Sequence, residues 1–119
     1  SMRINHAAAV SIFKILPAIC PMMQPRARGI VLFKPNFEAR REEVPKGGIL
    51  LDPKIHHRLL VEARDSLGKM SIPLVDLAPS PIRGGTGNVE YLFHVVRGDR
   101  AAVSPEKLAE VVDQAFNNT

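Results

Sequence analysis

Two charged residues at the ends of predicted strands, Lys34 and Glu90, are the positions of this chain best suited to chemistry. Lys34 closes an apolar run at residues 29–33, and Glu90 opens a second run that continues to residue 96. A lysine beside a glutamate can hold a reactive hydroxyl group and assist the transfer of its proton. We therefore predict that the two side chains meet at one edge of a sheet, facing a common cleft.

Three short apolar runs predict the strands that must position these residues. The run at residues 29–34 is unbroken and stops at Pro35, which is typical of a strand buried on both faces, as in parallel sheets. Residues 71–78 and 90–96 predict two further strands, with Pro73 placing the earlier one near a sheet edge. The segments between these strands lack the strand pattern.

Helical spacing of apolar residues predicts three helices. The first spans residues 8–20, and the last begins at residues 104–106. The middle one begins at the cap Asp52-Pro53 and stops near Gly68, whereas residues 36–48 are polar and predict a long loop. The order helix, strand, helix, strand, strand, helix indicates an α/β domain.

Composition narrows the classes of protein to which the chain could belong. The net charge is +4, from 16 Lys plus Arg against 12 Asp plus Glu, which favours an anionic partner. No apolar run approaches the roughly 18 residues of a membrane span. Cys20 is the single cysteine, so the chain forms no internal disulfide, and this fits a reducing cytoplasm. The adjacent His56 and His57 point to different sides of a helix, so no metal site is predicted.

Three motifs carry a resemblance to a known family. They are L-F-K-P-N-F-E at residues 32–38, G-G-I-L-L-D-P at 47–53 and S-P-I-R-G-G-T-G-N-V-E-Y at 80–91. They resemble V-K-P-Q-F-E, G-G-V-V-x-D-P and S-P-I-x-G-x-x-G-N-x-E-Y/F of the haemolysin A (TlyA) family of FtsJ-like ribosomal RNA 2′-O-methyltransferases. The matches follow the family's order and spacing, and the similarity extends from about residue 10 to residue 98.

The resemblance implies the C-terminal half of a Rossmann-like S-adenosylmethionine-dependent methyltransferase fold, with a three-stranded mixed sheet and flanking helices. In that fold the final strand inserts antiparallel between the two strands before it. Residues 1–119 would then be one partial methyltransferase domain. The family's S4-type RNA-binding domain, its glycine-rich cofactor loop and the acidic residue after its second strand are expected to be absent. The glycines at 84–87 do not replace that loop, because they lie between two late strands.

The resemblance also assigns site residues. Lys34 and Glu90 match two members of the family's Lys-Asp-Lys-Glu tetrad, while its first lysine has no counterpart and its aspartate falls near Asn5 and His6. The motifs further imply a set of substrate-binding residues: Pro35, Asn36, Phe37, Ser80, Gly87 and Asn88. Asn88 and the neighbouring glycines could equally serve only a tight turn. The basic residues expected to contact the RNA backbone are Arg40, Arg41 and Lys46; the alternative is a solvated basic rim.

The function expected from this resemblance is part of a cytoplasmic enzyme that methylates ribosomal RNA. S-adenosylmethionine would be the cofactor of the parent enzyme, and this chain is expected to bind none and to be inactive by itself. The alternative is a non-catalytic module that binds RNA or a partner protein; a pore-forming haemolysin is disfavoured because no membrane segment is found. The outer edge of the strand at 29–34 predicts a homodimer or larger oligomer, unless residues 3–9 cover that edge.

Overall fold

The computed structural model describes residues 24–81 and 87–117, which form one three-stranded sheet with helices packed on it. The strands are β1 (Arg28–Phe33), β2 (Leu74–Pro79) and β3 (Tyr91–Val96). The helices are α1 (Pro35–Glu38), α2 (Pro53–Lys69) and α3 (Pro105–Asn117), and a 3-10 turn spans Arg41–Glu43. The predicted helix at 8–20 and the predicted cover by residues 3–9 lie outside the described residues.

The sheet has the order β1–β3–β2, so the last strand lies in the middle. β3 is antiparallel to both neighbours, with Phe33 opposite Tyr91 on one side and Pro79 opposite Tyr91 on the other. The predicted α/β fold, with its final strand inserted antiparallel between its predecessors, is confirmed. This insertion brings the end of β1, the end of β2 and the start of β3 to the same edge of the sheet.

The core lies between one sheet face and the helices α2 and α3. The rings of Phe33 and Phe93 stack with their centroids 4.7 Å apart and sit at the centre of this layer. As predicted, α3 buries one face against the core; the buried residues are Leu108, Val111, Val112 and Ala115. The other sheet face carries Ile30 and Leu32, which are 69% and 38% exposed. The prediction that β1 is buried on both faces is therefore wrong, because no described element packs over that second face.

The α2 helix begins as predicted and ends later than predicted. The Asp52 carboxylate accepts a hydrogen bond of 2.9 Å from the backbone N–H of Lys54, and Pro53 occupies the first helical position. The chain passes through Gly68 as helix and leaves it at Ser71, which has φ +59°. The N–H of Ile72 then bonds the carbonyl of Leu67, a Schellman ending in which a serine takes the left-handed position usual for glycine.

The predicted long loop at 36–48 contains two short helical pieces. Pro35 opens α1, and its carbonyl accepts the N–H of Ala39. The Glu43 carboxylate bonds the backbone N–H of Arg40 and thereby caps the 3-10 turn. It also accepts hydrogen bonds of 2.6 and 2.7 Å from the two terminal nitrogens of Arg58 on α2. Polar residues that predicted a loop therefore bond locally and to the neighbouring helix.

Candidate active-site edge

The register of the strands places Lys34 opposite Glu90. Phe33 pairs with Tyr91 across the β1–β3 ladder, so the next residues outward are Lys34 on one strand and Glu90 on the other. The Lys34 Nζ lies 3.8 Å from Glu90 Oε2, and the two side chains are only 14% and 7% exposed. The predicted convergence of these two charges is confirmed.

The geometry of this pair leaves room for a third polar group. At 3.8 Å the ammonium and the carboxylate attract each other but are too far apart for a direct hydrogen bond. A hydroxyl oxygen placed about 2.8 Å from each atom would accept a hydrogen bond from the ammonium and donate one to the carboxylate. The pair can therefore hold and orient a hydroxyl group between opposite charges.

The end of β1 supplies three more of the predicted residues beside Lys34. Pro35 is buried and opens α1, and the Phe37 ring lies 5.3 Å from the Lys34 Nζ, within reach of a cation–π interaction. Asn36 is half-buried, and its Oδ1 is buried without a hydrogen-bond partner among the described residues. A buried acceptor left unpaired is costly, and the predicted contact of Asn36 with substrate remains a prediction.

The loop between β2 and β3 brings Ser80, Gly87 and Asn88 to the same edge. The N–H of Ser80 donates a 2.7 Å hydrogen bond to the Glu90 carbonyl, so the end of β2 holds the backbone of Glu90. Gly87 is exposed and has φ +91°, a conformation that favours glycine. Residues 82–86 of the motif lie outside the described residues.

Asn88 has a structural role that its sequence position only partly indicated. It is 1% exposed; its Oδ1 accepts the N–H of Leu50 and its Nδ2 donates to the carbonyl of Gly48, each at 2.9 Å. The G-G-I-L-L-D-P motif is thus held against the G-N-V-E-Y motif by an amide side chain. The predicted contact of Asn88 with substrate remains a prediction. Besides the turn role suggested by its sequence position, Asn88 has this structural role between distant segments.

His56 completes the attachment of the same loop, a role that sequence reasoning missed. Its Nε2 donates to the carbonyl of Leu50 at 2.8 Å, so its Nδ1 must accept, and the Tyr91 hydroxyl donates to it at 2.8 Å. Burial lowers the pKa of His56 and raises the pKa of Tyr91, so both stay neutral near pH 7. The only sequence signal for this contact was that the G-G-I-L-L-D-P and G-N-V-E-Y motifs occur together in one chain.

The residues predicted to contact RNA lie on the segment between α1 and α2. Arg40, Arg41 and Lys46 are exposed there, so their charges are accessible to an anionic partner. Across the described ranges, no group of three His, Cys, Asp or Glu residues could hold a metal ion. None of the helices in those ranges is long and apolar enough to cross a membrane.

Comparison with known proteins decides the family. The chain is 36% identical over 110 residues to "Putative rRNA methyltransferase YqxC" of Bacillus subtilis, a match that covers 89% of the chain. It is 34% identical over 96 residues to "Hemolysin A" of Brachyspira hyodysenteriae, which covers 81% of it. The chain belongs to the TlyA family. No family model matches it.

More distant TlyA relatives and solved structures agree with this membership. "16S/23S rRNA (cytidine-2′-O)-methyltransferase TlyA" of Mycobacterium tuberculosis is 28% identical over 108 residues. "Putative hemolysin from Streptococcus thermophilus" superposes on 92% of the chain with a TM-score of 0.86 and 32% identity. This TlyA-family chain spans about 40% of the length of these curated relatives and corresponds to the C-terminal part of the family.

Proposed function

We propose that this chain is the C-terminal part of an S-adenosylmethionine-dependent ribosomal RNA ribose 2′-O-methyltransferase. The observation that carries the proposal is the largely buried Lys34–Glu90 pair, 3.8 Å apart at the end of the sheet where three strand ends meet. A ribose 2′-hydroxyl held between them would have its proton directed towards the carboxylate and its oxygen fixed by the ammonium. Asn36, two residues along the chain from Lys34, would contact the same nucleoside.

The residues described in this structure do not fit the methyl donor itself. Methyltransferases of this family use S-adenosylmethionine, but β1 runs directly into Lys34 and the short helix α1 without a glycine-rich loop. The double glycine at 47–48 leads instead to the carboxylate cap of α2, which bonds the first available N–H of that helix, that of Lys54. We therefore assign to these residues the binding and orientation of the acceptor, and expect this chain alone to show no micromolar complex with the donor by calorimetry.

A chimeric enzyme would test the proposal directly. This chain would replace the matched part of the Mycobacterium tuberculosis TlyA, and transfer of a labelled methyl group to ribosomal RNA would be measured. We expect Lys34→Ala and Glu90→Gln each to lower the rate about 100-fold or more, in line with the usual contribution of a positioned acid–base group. Lys54→Ala, at an exposed site in the first turn of α2, is the control and should leave the rate unchanged.

Two results would refute the assignment. One is a chimera that melts cooperatively yet transfers no methyl group. The other is an active chimera in which Lys34→Ala and Glu90→Gln both stay within twofold of the parent rate. The second result would favour the alternative, a non-catalytic module that binds RNA or a partner protein.

A further inference from the structure

A basic cavity lies at the other end of the sheet from Lys34 and Glu90. Its volume is about 410 Å³, and we call it the arginine cavity. Four arginines line it with three other residues: Arg26, Arg28, Arg97, Arg100, Val96, Gly98 and Asp99. The cavity is formed where the chain enters β1 and where it leaves β3.

Backbone hydrogen bonds hold the two walls of the arginine cavity together. The N–H of Arg26 donates to the carbonyl of Arg97 at 2.9 Å, and the N–H of Arg97 donates to the carbonyl of Ala27 at 2.8 Å. Two left-handed residues turn the chain here: Arg26 has φ +66° and Gly98 has φ +126°. A non-glycine residue adopts that conformation rarely, so the backbone at Arg26 is held by the surrounding fold.

Among the described residues, no ion pair neutralises the charge of the arginine cavity. The lining residues include four arginines and one acidic residue, Asp99. Within residues 24–81 and 87–117, none of these four arginines forms an ion pair, whereas Arg58 and Arg64 both do. Like charges gathered in a concave surface repel each other and raise the local concentration of anions. Such a surface is suited to an anionic ligand.

We propose that the arginine cavity binds phosphate groups of an RNA backbone. The planar guanidinium fork matches the oxygens of a phosphate and can bond it in a bidentate way. Six residue steps along β1 separate Arg28 from Lys34, about 20 Å at the usual rise of a strand. The cavity is therefore too far from the proposed methylation edge to take part in the chemistry, and it anchors a length of RNA beyond the target nucleotide. This inference rests on the proposed function for its choice of ligand.

The test is a titration of this chain with a labelled single-stranded RNA at several salt concentrations, without any methyl donor. Each arginine–phosphate contact contributes about 0.7 to the slope of log affinity against log salt for single strands. We expect Arg28→Ala combined with Arg100→Ala to reduce the slope by about 1.4 and to weaken binding at low salt. Both residues are exposed, so an unchanged melting temperature should show that the variant folds.

A matched pair of substitutions separates the site from net charge. Lys54→Ala combined with Lys69→Ala also removes two positive charges, but from the exposed ends of α2, and should leave the slope nearly unchanged. The proposal fails if both double variants change the slope equally, or if neither does. It also fails if the cavity variant loses binding of inorganic phosphate only. The titration contains no methyl donor and measures no methyl transfer, so failure of the proposed methylation site would not be mistaken for failure here.

Discussion

At the scale of single residues, Leu50 shows how two motifs far apart in sequence form one site. Asn88 accepts a hydrogen bond from the N–H of Leu50, and His56 donates one to its carbonyl. Both backbone polar groups of this buried residue are therefore bonded by side chains. Asn88 stands two residues before Glu90, and His56 bonds Tyr91, the residue after it. The carboxylate is held in place through these contacts.

Replacing Asn88 with alanine should destabilise the protein. The change leaves the N–H of Leu50 and the carbonyl of Gly48 without their partner, and an unsatisfied buried polar group costs about 1–3 kcal/mol. We expect the free energy of unfolding in urea to fall by about 2 kcal/mol. Asn117→Ala, at an exposed position near the end of α3, should change it little. Equal effects of the two substitutions would contradict the role given to Asn88.

His56 should make stability depend on pH. Burial lowers the pKa of His56 below its ordinary 6.5, so the unfolded chain binds more protons than the folded chain as the pH falls. The free energy of unfolding should therefore be greatest above about pH 7 and decrease as the pH falls through about 6.5 and below. His56→Gln should flatten this part of the profile, whereas His57→Gln, which retains His56, should not. Chemical denaturation between pH 5 and pH 8 measures the difference.

At the scale of elements, a charge pair connects the 3-10 turn to α2. The hydrogen bonds from Arg58, with a backbone bond from Arg40, lower the pKa of Glu43 from 4.5 to about 2. The folded state is therefore favoured by this group above pH 4.5, and the contribution is lost as the pH falls towards 2. This contact positions the segment that carries Arg40, Arg41 and Lys46, the predicted RNA contacts.

Loss of this pair should loosen that segment. We expect Glu43→Gln to speed amide hydrogen exchange at residues 40–46 at neutral pH, because the neutral amide bonds Arg58 more weakly than the carboxylate does. Glu42→Gln, an exposed neighbour in the same turn, serves as the control and should leave exchange as it is. Exchange that is unchanged in both variants would show that the backbone alone holds the turn.

At the scale of the whole molecule, one sheet face and one sheet edge remain uncovered by described elements. β1 pairs only with β3 among the described strands, and Ile30 is 69% exposed on the open face. An apolar edge strand with free backbone groups favours pairing with another chain. Self-association through this edge therefore remains our prediction.

A substitution on β1 would test that association. We expect Ile30→Lys to shift the protein towards monomer in light scattering, because a charge on an edge strand opposes pairing. Leu51→Lys, another exposed apolar position that lies outside the sheet, should leave the mass distribution unchanged. A parent protein that is monomeric at high concentration would refute the prediction.

The sequence by itself determined the local elements and the identity of the two charged residues. Apolar runs, Pro35 and the Asp52-Pro53 cap act within a few residues, and each correctly predicted where an element ends or begins. Local signals failed where partners lay far away: Gly68 stayed helical because the chain could turn at Ser71 instead, and the polar loop at 36–48 gained helical turns. The meeting of Lys34 and Glu90 was predicted from their places at strand ends, and the motifs of the family supported it.

Only the tertiary structure decided how these elements meet. The insertion of β3 between β1 and β2 converts three separate strand ends into one edge, and its register brings Lys34 opposite Glu90. The same strand pairing gathers four arginines at the far end of the sheet, and the packing of α2 on the sheet joins His56 to Tyr91; no spacing in the sequence indicates either contact. Such contacts join residues 35 positions apart, as for His56 and Tyr91, or 71 apart, as for Arg26 and Arg97. Hydrophobic periodicity cannot encode them, because it repeats along every strand and helix alike.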